Sequence, residues 1–174
     1  MPPPSNQVYG IDTSVFLRLL TGHPEKEFEA ASRALETLFE RQPTAELVVS
    51  NQVIGESYIT LQHHYKLSKS HARDGIRQFL EDGPVSPLNG AAVLDLLSQK
   101  GGAGLMDRLI VQDYQAKGFP VLTNDLKMSK LPGALKLAQA LPDAVLPVRD
   151  LPESVLREWI DEDETDGEAI RKRR

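Results

Sequence analysis

Four acidic residues carry the chemical signal of this sequence, and the first of them is Asp12. The stretch YGIDTSVFLRLLTG at residues 9–22 runs from an apolar lead-in into Asp12, then into two hydroxyl residues and an apolar stripe. A charge at the end of a buried strand costs several kcal/mol unless something compensates it. Asp12 is therefore either the cap of the following helix or part of a site that holds a cation.

The other three acids lie in comparable surroundings. Glu56 stands among aliphatic residues in VIGESYITL, Asp107 precedes an aliphatic run in GLMDRLIVQDY, and Asp125 closely follows the apolar stretch that ends at Thr123. Asp113, further along the same predicted helix as Asp107, is an alternative to it. None of the separations is a metal-ligand spacing on a single element, so folding must assemble the site.

The composition of this set indicates a metal. Several carboxylates can converge only around a cation, because like charges a few ångströms apart repel and raise one another's pKa. Hard divalent ions such as Mg²⁺ and Mn²⁺ take oxygen ligands, polarise phosphodiesters and generate hydroxide from a bound water. The set therefore predicts metal-dependent phosphoryl chemistry, with Ser14, Thr123 and Asn124 orienting metal-bound waters or contacting the ligands.

The elements that must position these acids alternate between strands and helices. Strands are predicted at residues 8–12, 47–49, 85–88, 119–123 and 145–148, of which 119–123 is the clearest buried strand. A helix capped by Thr13 or Ser14 is predicted to run through residue 20 and to stop at Gly22. Further helices are predicted at 25–41, 52–65, 68–82, 91–100, 105–117 and 152–160. This alternation indicates a parallel sheet with helices on both faces, in which ligands bind beyond the carboxyl ends of the strands. Asp12 and Asp125 lie at two such ends.

Composition narrows the class of protein. The chain of 174 residues is most economically one domain, with 40% hydrophobic and 26% charged residues. No apolar run approaches the roughly 18 residues of a membrane span, and the absence of cysteine fits a reducing cytoplasm. We therefore expect a cytoplasmic protein without a membrane partner. The net charge of −5 argues against coating nucleic acid by bulk electrostatics, but it allows an enzyme that grips phosphates through metal ions.

The quoted motifs resemble a known family. IDTSVFLRLLTG, VIGES, GLMDRLIVQDYQAKGFPVLTND and LKMSKLPGA are similar to the PIN-domain family, in particular to VapC-like toxins of bacterial toxin–antitoxin pairs, over about residues 8–137. The resemblance implies a three-layer α/β/α sandwich with a mostly parallel central sheet. It also implies a Mg²⁺- or Mn²⁺-dependent endoribonuclease, usually a homodimer held inactive by a cognate antitoxin. Asp12, Glu56, Asp107 and Asp125 fall on the family's acidic quartet, and Thr123 falls on its hydroxyl position.

The expected organisation is a PIN-like nuclease domain at residues 1–150, followed at 151–174 by a helix and a charged tail. Residues 161–168 carry six acids and residues 171–174 four bases, a pattern typical of a solvated, disordered end. The helices of residues 25–41 and 52–82 are expected to supply an apolar dimer contact. The six residues that motivate this expectation are Leu61, Tyr65, Leu67, Ile76, Phe79 and Leu80.

Departures from the family pattern leave alternatives open. Arg108 stands where VapC-like toxins commonly have a small residue, and it could pair with the quartet, contact RNA or face solvent. The main alternative function is a PIN-like protein with a non-toxin role, either RNA processing or a catalytically degenerate binding or regulatory module. A haloacid-dehalogenase-type phosphatase is disfavoured because that chemistry wants a second Asp two residues after the first, where this chain has Ser14.

Overall fold

The computed structural model describes residues 7–137. The strands within this range are β1 (Val8–Gly10), β2 (Glu46–Val49), β3 (Val85–Pro87), β4 (Val121–Thr123) and β5 (Ala134–Lys136). The α-helices are α1 (Thr13–Thr21), α2 (Glu25–Arg41), α3 (Asn51–His63), α4 (Lys69–Asp82), α5 (Ala92–Ser98) and α6 (Leu105–Gln115). A short 3₁₀ turn spans Met128–Lys130.

The strands form two parallel sheets. The first has the order β1-β2-β3, and its register aligns Tyr9 with Leu47 and Leu47 with Val85. The second pairs β4 with β5, with Leu122 opposite Leu135. Every strand pair among the described residues is parallel, and helices connect the strands of the first sheet. The predicted α/β class with a mostly parallel sheet is confirmed.

Side-chain caps fix where three of the helices begin. Asp12, Ser50 and Ser68 each accept a backbone N–H through their side chains at the start of α1, α3 and α4. Gly22 ends α1 in the left-handed region at φ 66°, a conformation that glycine adopts without a steric penalty. Asp12 is thus the cap of α1, one of the two roles that the sequence left open for it, and the expected caps Thr13 and Ser14 are corrected.

Two hydrophobic cores differ greatly in size. The larger lies under the first sheet and centres on fully buried residues such as Phe16, Val49, Ile54 and Ile76. Phe16 also meets Phe79 edge to face, with ring centroids 5.5 Å apart. The smaller core, under the second sheet, consists of Val111, Val121, Met128 and Ala134 with Leu131 packed against it.

Burial corrects two expectations. The segment 119–123 is not a fully buried strand, since Phe119 is 60% and Leu122 50% exposed while Val121 is buried. Leu61, Ile76 and Leu80 belong to the larger core, and Tyr65 and Phe79 pack against it, so of the six residues assigned to a dimer face only Leu67 is among the exposed large hydrophobics. The dimer itself stays a prediction, but exposed apolar residues on these helices no longer support it.

Several expectations concern residues outside the described range. These are the strand at 145–148, the helix at 152–160, the domain boundary at residue 150 and the charged tail. Within residues 7–137, no helix combines the length and the apolar character needed to span a membrane.

Candidate active site

Asp12 lies at the carboxyl end of β1, and one of its oxygens organises the start of α1. Its Oδ1 accepts hydrogen bonds from the backbone N–H of Val15 at 3.0 Å and from the hydroxyl of Ser14 at 2.8 Å. These bonds, that from Val15 first, lower the pKa of Asp12 below its ordinary value, and the solvent-exposed carboxylate is ionised at neutral pH. Ser14, predicted to support the site, therefore does contact a candidate ligand.

Glu56 is brought beside Asp12 by a hydrogen bond between α1 and α3. The hydroxyl of Thr13 donates to Glu56 Oε2 at 2.5 Å, and the amide of Gln52 donates to Oε1 at 3.2 Å. The bond from Thr13, followed by that from Gln52, lowers the pKa of Glu56, whereas the nearby charge of Asp12 acts in the opposite direction. Asp12 and Glu56 are thus electrostatic neighbours, and the hydrogen bonds outweigh their repulsion.

Asp107 lies in the first turn of α6. Its Oδ2 accepts the backbone N–H of Gly104 at 2.9 Å, which closes the turn at the start of the helix. The preceding residue, Met106, packs against Gly55 so closely that a Cβ on Gly55 would lie 2.7 Å from the Met106 sulfur. Because Gly55 precedes Glu56, this contact brings the chain segments that carry Glu56 and Asp107 together.

Asp125 follows β4 and is engaged by its own turn. Its Oδ1 accepts the backbone N–H groups of Lys127 at 2.7 Å and Met128 at 2.6 Å. The bonds from Met128 and then Lys127 lower the pKa of Asp125. The Asp125 N–H in turn donates to Thr123 Oγ1 at 3.0 Å, so Thr123 holds the turn, while Asn124 is exposed to solvent.

The four acids share a donor chemistry but are only partly assembled. All are carboxylates, and in each aspartate a single oxygen accepts the hydrogen bonds just described. This oxygen set suits a hard divalent cation, and Asp12 with Glu56 forms a linked pair. Among residues 7–137, however, no group of three or more acidic, histidine or cysteine side chains is close enough together to hold a metal. The quartet stays a prediction.

Asp113, the alternative to Asp107, has different surroundings. Its Oδ1 accepts the side-chain amide of Asn89 at 2.6 Å, and partial burial of the carboxyl raises its pKa although the residue as a whole is exposed. The nearby Asn51 is buried and donates to Leu109 O and Gln112 Oε1. This polar cluster connects the end of β2 to α6, which indicates a structural role for Asp113.

Sequence reasoning missed one contribution to the site and left the role of Arg108 open. Thr13, considered only as a helix cap, bridges to Glu56, and its position directly after Asp12 is the signal that could have suggested it. Arg108 forms no ion pair with an acid within residues 7–137, and it does not face solvent. It is buried, and its guanidinium donates to the backbone carbonyls of Gln99 and Gly101. Of the three roles left open for Arg108, pairing with the quartet and facing solvent are wrong, and contact with RNA stays a prediction.

The structure thus combines a parallel α/β fold with acidic side chains just beyond the ends of two strands, β1 and β4. The PIN-domain family model matches residues 9–134. The chain therefore belongs to the PIN-domain family, as the motif resemblance predicted. PIN domains are generally metal-dependent nucleases.

One similar solved structure is the crystal structure of VapBC2 from Rickettsia felis bound to a DNA fragment from their promoter. Its matched chain is 19% identical, and the match covers 74% of this chain and 96% of that chain with a TM-score of 0.32. Because that TM-score is low, the family assignment rests on the PIN-domain match alone. No curated protein matches the sequence.

Proposed function

We propose that this PIN-domain protein is a divalent-metal-dependent endoribonuclease that hydrolyses RNA phosphodiester bonds. Asp12, Glu56, Asp107 and Asp125 would hold Mg²⁺ or Mn²⁺, supported by Ser14, Thr123 and Asn124. The observation that carries the proposal is the Asp12–Glu56 pair, which Thr13 links and whose pKa values are lowered. Two ionised, solvent-exposed carboxylates that repel each other electrostatically form an electronegative locus that suits a cation.

The residues of this chain have separate tasks in the proposed site. When bound, the ion would supply Lewis-acid polarisation of the phosphodiester and would acidify a water molecule. Val15 N–H and Ser14 fix the rotamer of Asp12, and Thr13 with Gln52 fixes that of Glu56. Such partners orient a ligand before the ion arrives, which lowers the entropy lost on binding.

The proposal also includes a biological role for the ribonuclease, that of a toxin. We propose that the protein acts in the cytoplasm as the toxin of a type II toxin–antitoxin pair, as a homodimer with a cognate antitoxin. The support is the resemblance of the ordered motifs from IDTSV to LTND to VapC-like toxins. The upstream gene should then encode a short DNA-binding protein with a basic tail.

A second candidate function is a PIN-like module that binds but does not cleave. It is favoured by the finding that, in residues 7–137, no three potential ligands lie close enough together to hold a metal. In this case the acids would serve as helix and turn caps, and the protein would act by assembly or regulation.

Cleavage of single-stranded RNA by the full-length protein in Mg²⁺ or Mn²⁺, compared with chelator, separates the two functions. We expect metal-dependent cleavage by wild type and its loss in Glu56→Gln, which keeps the side-chain shape but removes a charge. Asp74→Asn, an exposed acid on α4, is the matched control and should cleave as wild type does. Metal-independent cleavage, or full activity in Glu56→Gln, would contradict the proposal.

A further inference from the structure

The loop between α5 and α6, residues 99–104, is anchored at both of its ends by neighbouring residues of α6. Gly101 and Gly102 have φ angles of +73° and +68°, a region that favours glycine, so this loop conformation depends on two consecutive glycines. At its far end, the Gly104 N–H donates to Asp107 Oδ2 at 2.9 Å. The orientation of the Asp107 carboxylate therefore depends on where this loop places the Gly104 N–H.

Arg108 holds the other end of the loop. Its side chain is 5% exposed, and its Nη1 donates to Gln99 O at 2.9 Å while its Nη2 donates to Gly101 O. The planar guanidinium thus spans two carbonyls of the loop with two separate N–H groups. Asp107 and Arg108 are consecutive in the first turn of α6. Asp107 bonds the loop at residue 104, and Arg108 bonds it at residues 99 and 101.

Burying the Arg108 guanidinium costs free energy unless its N–H groups are hydrogen-bonded, here to the two loop carbonyls. Within residues 7–137 no carboxylate forms an ion pair with Arg108, and its Nε has no hydrogen-bond partner. A buried charge without a counterion is stabilised mainly by its hydrogen bonds, so these two bonds dominate the orientation of the side chain. The loop carbonyls and the guanidinium therefore fix each other.

We infer that Arg108 is a positioning residue, which sets loop 99–104 and, through the Gly104 N–H, the orientation of the Asp107 carboxylate. The inference that this matters for a metal rests on the proposed function, in which Asp107 is a ligand. The effect on the loop does not depend on that function, and it is measurable in the metal-free protein.

Arg73 provides a matched comparison. This residue of α4 donates from Nη1 to the same Gln99 carbonyl at 2.7 Å, but within residues 7–137 it is not hydrogen-bonded to Gly101. Replacing Arg73 leaves Gln99 O with its bond from Arg108, whereas replacing Arg108 removes the only side-chain bond recorded to Gly101 O in residues 7–137. The two arginines thus separate loop anchoring from general loss of a guanidinium near α5.

The experiment compares full-length Arg108→Met and Arg73→Met by amide exchange without metal and by Mn²⁺ binding followed with electron paramagnetic resonance. Methionine keeps an unbranched stem and removes the buried charge. In Arg108→Met we expect exchange at Gly104 to accelerate about tenfold or more, because the loop loses two charge-assisted hydrogen bonds. Mn²⁺ affinity should fall about tenfold, as for the loss of a partner that orients a ligand. Arg73→Met should change both quantities by less than about twofold.

A double-mutant cycle with Asp107→Asn shows whether Arg108 acts through Asp107. Arg108→Met should lower Mn²⁺ affinity in the wild-type background but not in Asp107→Asn. Unchanged Gly104 exchange, or an equal loss of affinity in both backgrounds, would overturn the inference. If Arg108→Met does not fold, Arg108→Lys replaces it in the experiment. One ammonium can replace only part of the two-pronged guanidinium contact, so exchange at Gly104 should be faster than in wild type but accelerate less than about tenfold. A wild type that binds Mn²⁺ but cleaves no RNA would refute the proposed function and leave the Arg108 measurements valid.

Discussion

Asp12 and Asp125 each lie two residues beyond the end of a strand, β1 and β4, but their surroundings differ. Each follows a parallel strand, accepts backbone or nearby donors through Oδ1, and has a lowered pKa. Asp12 is also linked to a second acid, because Thr13 donates to Glu56 on α3. The hydrogen bonds of Asp125 stay within its own turn. A strand end can therefore position one ionised acid, but a second acid beside it must come from another element such as α3.

The cores beneath the two strand ends differ in the same way. Asp12 begins a helix whose Phe16 is fully buried, and α3 places Ile54 in the same large core. Around β4 the core is small, and Phe119, Leu122 and Leu126 are all at least half exposed. We infer that packing holds the Asp12–Glu56 pair more firmly than the Asp125 turn.

The largest expected effect tests that difference in packing. Phe16→Ala should lower the free energy of unfolding by about 3–5 kcal/mol, because it leaves a cavity and removes the contact with Phe79. Phe119→Ala should change it by no more than about 0.5 kcal/mol, since that ring is mostly exposed. Urea unfolding of both variants measures this. Similar losses would show that the second region is packed as firmly as the first.

A smaller effect is expected from the link between the two acids. Thr13→Val keeps the side-chain shape but removes the hydroxyl that donates to Glu56 Oε2. Mn²⁺ affinity, measured by calorimetry, should fall about tenfold because Glu56 loses the partner that orients it. The control is Thr123→Val at the second strand end, where the hydroxyl accepts the backbone N–H of Asp125 in the turn, and its effect should be smaller. A larger effect for Thr123→Val would reverse the comparison.

The smallest effects concern pH. The lowered pKa of Asp12 means that its stabilisation is fully present above the unfolded-state pKa and is lost as the pH falls through the lower folded value. Asp113 has a raised pKa caused first by burial, so its contribution has the opposite sign and weakens stability as the pH rises past the unfolded value. Urea midpoints between pH 3 and 7 should therefore show a shallower acid slope in Asp12→Asn and a steeper one in Asp113→Asn. Equal slopes in the two variants would contradict the assignment.

Local signals predicted the first strand end well. The acid after an apolar strand, the apolar stripe and the closing glycine predicted α1 within one or two residues, and α2 begins and ends as predicted at residues 25 and 41. These features depend on neighbours in sequence, such as the cap at Asp12 and the left-handed Gly22.

The remainder depends on contacts between distant segments. An apolar run such as 119–123 does not reveal whether one or both faces of the strand are covered, and β5 has only three residues after Gly133. The bond from Thr13 to Glu56 needs the packing of α1 against α3, and a long arginine side chain can fold back onto its own loop or reach outward. Sequence periodicity carries neither piece of information.

The central claim is that Asp12 holds a cation together with Glu56 and is not merely a helix cap, and the thermal stability of Asp12→Asn in chelator and in Mn²⁺ tests it most directly. Asparagine caps a helix about as well as aspartate, so stability in chelator should stay close to that of wild type. Wild type should gain about 2.7 kcal/mol at a Mn²⁺ concentration of about 100 Kd, and Asp12→Asn much less at the same concentration. The control Asp74→Asn should gain as much as wild type. An equal gain in Asp12→Asn would show that Asp12 is only a cap and would contradict the claim.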